Sequence, residues 1–101
     1  MPELVKVAKK SEIPEDTGKL IEVSGQPVAL FRIGDDVYAI SAICPHQGGP
    51  LDEGGLNDGI VTCPWHGWDF NVKTGACTFN SAIRVPVYKV KQKGEDVYVE
   101  V

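Results

Sequence analysis

Four side chains able to bind a transition metal fall in two short clusters, Cys44-Pro45-His46 and, after sixteen intervening residues, Cys63-Pro64-Trp65-His66. The chain has two histidines and three cysteines, so this pattern takes both histidines and all but one cysteine. Each pair is close enough in sequence for one loop to present both side chains to a common site. Thiolate suits iron-sulfur clusters, zinc and copper(I), while neutral imidazole suits zinc, copper and iron; two of each leaves zinc or an iron-sulfur centre. Zinc sites of this composition usually pair Cys with Cys and His with His, in C-x2-4-C and H-x3-5-H spans. Here each pair mixes the two types. An iron-sulfur centre needs that mixing if one iron takes both thiolates and the other both imidazoles.

With Pro45 and Pro64 inside the ligand loops and Gly48 and Gly67 just beyond the histidines, Cys44-x-His46-x16-Cys63-x2-His66 resembles the Rieske 2Fe-2S motif, in which two histidines replace two cysteines on one iron. The resemblance extends over most of the chain. It implies an all-β, Rieske-like fold spanning 1–101 as one domain, an antiparallel β-sandwich or barrel base carrying a small cluster-binding β subdomain at roughly 42–80. It also implies that Cys44 and Cys63 hold the buried iron and that His46 and His66 hold the iron nearer the surface, where electrons would leave.

A chain of this kind is similar to the soluble ferredoxins that pass single electrons from an NAD(P)H-dependent flavin reductase to a terminal, aromatic-ring-hydroxylating oxygenase. Docking would then occur at the histidine tip, where Gln47, Pro50, Trp65 and the acidic Asp52 and Glu53 could meet a partner. The small Rieske-like subunit of assimilatory NADH nitrite reductase is similar in size and fold, although some such subunits lack the ligands kept here. A structural zinc module with a binding role is the third reading.

Departures from the motif of the high-potential Rieske proteins bear on redox chemistry. Those proteins resemble this chain but add a cysteine to each ligand loop, joined as a disulfide; Gly49 and Trp65 stand at those positions here. They also carry a serine and a tyrosine whose hydroxyls reach cluster sulfurs, where this chain has Trp68 and Phe70. Without those donors reduction is less favourable, and the expected potential is at the low end of the Rieske range, roughly -150 mV. Glycines of Gln47-Gly48-Gly49 and Gly67 are expected to turn loop amides inward, toward the sulfurs. Pro45 and Pro64 should stiffen the loops. Trp65 and Trp68 either shield the centre from water or belong to the core.

The remaining composition bounds the function. At 101 residues, with 43% hydrophobic and 24% charged residues, the chain suits one soluble domain. A formal net charge of -4 argues against nucleic acid or an anionic membrane surface as partner and leaves a basic protein surface open. No stretch approaches the ~20 apolar residues of a membrane span, and Met1-Pro2-Glu3 is unlike a secretory signal, so a cytoplasmic setting is expected, with a monomer as the default state. Cys77 is then left without a disulfide partner and reads as a small apolar residue on a strand. Neither a G-x-G-x-x-G loop nor a Walker sequence is present, and both histidines are assigned to the cluster. The chain is therefore expected to carry electrons and to have no catalytic site of its own.

Strands and turns must position these ligands. Leu4 to Ala8 and Leu20 to Val23 read as strands, with at most one capped turn over Ser11 to Pro14. Val28 to Ile33 and Val37 to Ser41 read as a hairpin around Gly34-Asp35-Asp36 that delivers the chain to Cys44. Leu56 and Ile60 to Thr62 flank a second turn, Asn57-Asp58-Gly59. Trp68 to Val72 reads as a strand that turns at Lys73-Thr74-Gly75 and returns through Ala76 to Phe79. Val85 to Lys91 and Val97 to Val101 read as a closing hairpin, with Val97, Val99 and Val101 on one face.

Overall fold

The computed structural model describes residues 4–45, 48–65 and 67–100. The chain enters on β1 (Leu4–Lys9), makes a 3-10 turn at Lys10–Glu12, and meanders through β2 (Lys19–Val23), β3 (Gln26–Ile33) and β4 (Asp36–Ser41). A second 3-10 turn at Leu51–Glu53 precedes three short strands, β5 (Gly55–Asn57), β6 (Ile60–Thr62) and β7 (Asp69–Asn71). The last strands are β8 (Val87–Tyr88), β9 (Val90–Lys93) and β10 (Asp96–Glu100). They form three antiparallel sheets of order β1-β10-β9, β2-β3-β4-β8 and β5-β6-β7. The all-β expectation therefore holds, and no helix among the described residues is long and apolar enough to cross a membrane.

The β2-β3-β4-β8 sheet is apolar on both faces, and this decides where the site can sit. Val28, Ala29, Leu30 and Phe31 of β3 are all fully buried. Successive side chains of a strand point to opposite faces, so a run without polar interruption serves two cores. Val28 and Leu30 join Ala8, Ile13, Val23, Val37, Ala39, Val97 and Val99 in a first core shared with the β1-β10-β9 sheet. Ala29 and Phe31 point the other way, into a second core with Ile40, Ala42, Leu51, Val61, Phe70 and Val72. Cys44, Cys63 and Cys77 lie in that second core.

The turns follow the sequence signals closely. Ile33 pairs with Asp36, so the β3-β4 turn is Gly34-Asp35. Asn57 pairs with Ile60, and Asp58 and Gly59 between them have φ of 52° and 79°. Two successive positive φ values mark a type I′ turn, whose twist matches that of the flanking strands.

Two strand expectations are corrected. Val85 to Lys91 is not one strand: Val87 and Tyr88 pair with Ile40 and Ala39 of β4, whereas Val90 onward pairs with β10. Lys89 is the crossing between two sheets. The return from Ala76 to Phe79 is not a strand either, making single bridges from Cys77 to Phe70 and from Ala76 to Arg84. Its backbone is satisfied irregularly, the Cys77 amide donating to the Ile83 carbonyl and the Thr78 amide to the Asp69 carbonyl. Cys77 is buried as expected but lies on this irregular segment. Val97 and Val99 share the first core, and Val101 lies outside the described residues.

Phe70 is fully buried and Phe79 is 62% exposed, which separates two substitutions of the same type. Phe70→Ala should cost about 3–5 kcal/mol through lost burial and the cavity left behind. Phe79→Ala should cost about 1 kcal/mol, the value of its edge-on contact with an aromatic neighbour. Urea midpoints of the two variants against the parent check the ordering, and equal losses would refute the two-core packing.

Candidate metal centre

The second core delivers one cysteine to each of two loops. Cys44 follows β4 and Cys63 follows β6, and their relative exposures are 1% and 2%. The Cys44 amide donates to the Gly49 carbonyl at 2.9 Å, and the Gly48 amide donates back to the Cys44 carbonyl at 2.8 Å. The second loop repeats the arrangement: the Cys63 amide donates to the Trp68 carbonyl at 2.7 Å and the Gly67 amide to the Cys63 carbonyl at 3.0 Å. Gly48 and Gly67 have φ of 75° and 74°, left-handed values that glycine adopts without steric cost. Both loops thus begin with cysteine, continue with proline and close on a left-handed glycine four residues later.

His46, Gln47 and His66 lie outside the described residues. By sequence, both histidines fall between the cysteine and the closing glycine of their loops. Pro45, Gly48, Pro64, Trp65 and Gly67 are exposed, so in each loop a buried thiol stands below an exposed rim.

The amides of Gly48 and Gly67 are each taken by the carbonyl of their own cysteine. What these glycines supply is the backbone reversal that closes the loop.

Each loop is anchored on both sides. Ile43 bridges to Pro50, and the Leu51 amide donates to the Ala42 carbonyl at 2.8 Å. Thr17 and Gly18 strap the following segment: the Thr17 hydroxyl donates to the Gly54 carbonyl at 2.8 Å, and the Gly18 amide to the Asp52 carbonyl at 3.0 Å. The second loop springs from the paired strands β6 and β7, where the Thr62 hydroxyl donates to Asp69 Oδ1 at 2.5 Å.

The two tryptophans have different surroundings. Trp68 is half-buried against the second core and meets Phe79 edge-on, with ring centroids 5.2 Å apart and an interplanar angle of 89°. Trp65 is 56% exposed on the rim, so it is not a core residue.

Two buried thiols in separate, rigidly closed loops, with an imidazole available in each loop by sequence, fit a centre that takes one thiolate and one imidazole from each side. The Rieske [2Fe-2S] domain family matches residues 3–89. The chain belongs to this family. Its cofactor is therefore one Rieske-type [2Fe-2S] cluster, and the zinc reading is set aside.

Similarity to individual proteins is consistent with this membership. The chain is 37% identical over 98 residues to ferredoxin CarAc of Metapseudomonas resinovorans, covering 94% of this chain and 91% of that one. It superposes with a TM-score of 0.85 and 34% identity on the ferredoxin in a complex of reduced oxygenase and oxidized ferredoxin of carbazole 1,9a-dioxygenase, covering 95% of this chain and 91% of that one. A protein described as the small subunit of an NADH-dependent nitrite reductase from Mycobacterium tuberculosis gives a TM-score of 0.91 over 100% of this chain and 96% of that one. Its identity is 22%, and that likeness concerns the fold alone.

Protein purified without added metal should contain about two irons and two inorganic sulfides per chain, the stoichiometry of one [2Fe-2S] cluster. After dithionite reduction its electron paramagnetic resonance spectrum should have an average g below the free-electron value. A colourless, zinc-loaded protein would contradict the assignment.

Proposed function

We propose that this chain is a one-electron carrier that accepts electrons from an NAD(P)H-dependent flavin reductase and delivers them to a terminal oxygenase of the ring-hydroxylating kind. The observation that carries the reading is the pair of matching loops, each with a buried cysteine at its base and exposed residues at its rim. When bound, the cluster supplies one-electron storage, made less costly than in an all-cysteine centre by two neutral imidazoles in place of two thiolates.

In this reading Cys44 and Cys63 would hold one iron through their buried sulfurs, and His46 and His66 the other. The second core excludes water from the thiolate side. The closed loops, stiffened by Pro45 and Pro64, hold the donor atoms in nearly one geometry for both oxidation states. A cluster-binding subdomain of roughly 42–80, set on the base of a single Rieske domain, fits the place of β5, β6 and β7 in the chain between β4 and β8.

Docking at the rim has support in what is exposed there. Trp65 and Ile43 are 56% and 49% exposed, Pro50 is half-buried, and Glu53 is exposed with the half-buried Asp52 beside it. A partially apolar rim with acidic neighbours suits brief contact with a basic protein surface. The role of the ferredoxin in the carbazole 1,9a-dioxygenase complex, bound there to its oxygenase, makes an oxygenase the preferred acceptor. The chain is read as having no catalytic site of its own, serving as a component of a multicomponent system.

Two measurements test this reading. Replacing His46, His66, Cys44 or Cys63 by alanine should each abolish the Rieske visible spectrum, whereas Cys77→Ala should keep it; a spectrum surviving loss of a proposed ligand would overturn the ligand set. The midpoint should be negative, roughly -150 mV, and NADH should bleach the protein only when a flavin reductase is added. A midpoint above zero, or bleaching by NADH alone, would count against the carrier role.

A further inference from the structure

Gly49 is buried where the two ligand loops meet, and its lack of a side chain is explained by space alone. It is not among the positive-φ residues, so its backbone would accept other amino acids. Its neighbour Gly48 is the reverse case, left-handed and with nothing within 4 Å of a built Cβ. A Cβ on Gly49 would stand 2.8 Å from Cys63 Sγ and 3.1 and 3.2 Å from Trp65 Cγ and Cδ2. These three atoms all belong to the second ligand loop. The Gly49 carbonyl, in turn, holds the Cys44 amide at 2.9 Å. One residue of the first loop is therefore bonded to one ligand cysteine and in near contact with the sulfur of the other.

We propose that Gly49 is a positioning residue: its missing side chain leaves the space in which the Cys63 sulfur and the Trp65 indole close onto the first loop, and the seated indole screens that sulfur from water. The contact ties the two loops without a covalent bond. It rests on the assignment of Cys44 and Cys63 as cluster ligands. Trp65 is 56% exposed and so contributes little to the core, and its ring lies against Gly49 of the first loop.

Two consequences separate this role from a purely structural one. Water admitted beside the sulfur stabilises the extra negative charge of the reduced state, so loss of the indole raises the midpoint. Loss of the indole also opens the cluster to chelators. A planar ring of smaller size should restore both properties in large part.

The test uses the holoprotein with Trp65→Ala, Trp65→Phe and Gly49→Ala, each followed by redox titration, electron paramagnetic resonance and the rate of bleaching by an iron chelator. Trp65→Ala should bleach several-fold faster than the parent and shift the midpoint upward, with Trp65→Phe lying close to the parent. Gly49→Ala should change the g values, because its methyl group crowds Cys63 Sγ, and should also speed bleaching. In the double variant Gly49→Ala/Trp65→Ala the alanine at 49 should add less to the bleaching rate than it does alone. Where Gly49→Ala fails to assemble a cluster, the two Trp65 variants decide.

Unchanged bleaching and midpoint in Trp65→Ala, or fully multiplicative effects in the double variant, would overturn the proposal. A parent protein without a Rieske signal would instead refute the ligand assignment itself, so the two failures are distinguishable.

Discussion

The hydrogen-bond pairs that close the two ligand loops are the constraint on which the site depends. Each cysteine uses both of its backbone groups within its own loop, donating to a carbonyl five residues on and accepting from the glycine four residues on. A loop closed this way has its first residue fixed to the core, while Pro45 and Gly48 of one loop and Pro64, Trp65 and Gly67 of the other stand exposed. By sequence His46 is the third residue of its loop and His66 the fourth, so the two loops share a hydrogen-bonding pattern but not the position of their histidine. The buried polar groups are satisfied locally, as burial of a thiol-bearing segment requires.

The loops are only as rigid as the surface they stand on, and that surface is the far side of the molecule's central sheet. Strand β3 sends Val28 and Leu30 into one core and Ala29 and Phe31 into the other. The core beneath the cysteines therefore shares its backbone with the core of the β1-β10-β9 side. A cavity in either would be felt through the same strand, because close-packed interiors relax only partially. Site geometry and global stability are in this way coupled through four residues of one strand.

Much of the arrangement was legible because it depends on local chemistry. The two loops that begin Cys-Pro, the Asn57-Asp58-Gly59 turn and the apolar run of β3 are each written in neighbouring residues. What escaped reading depends on tertiary placement. Tyr88-Lys89-Val90-Lys91 alternates as evenly across Lys89 as within a single strand, so the passage from one sheet to another is hard to read locally. The carbonyls that take the Gly48 and Gly67 amides belong to the loop closure, visible only once the chain is folded. Gly49 is beyond sequence reading for a stronger reason. Adjacent glycines look alike in sequence, yet one answers a backbone angle and the other a sulfur atom from a loop fourteen residues away.

The same closures bear on redox poise. A potential rises when hydrogen-bond donors reach the cluster sulfurs and stabilise the added electron. The amides of Cys44, Gly48, Cys63 and Gly67 are all committed to carbonyls. At the positions where high-potential Rieske proteins place hydroxyls, Trp68 leans on the apolar core and Phe70 is wholly inside it, a ring with no donor to offer. Restoring a hydroxyl at Phe70 would place a polar group in an apolar core, at a cost of about 1–3 kcal/mol unless it found a partner. The packing that fixes the loops thus puts no hydroxyl where the high-potential proteins have theirs, in keeping with a potential expected at the low end of the Rieske range.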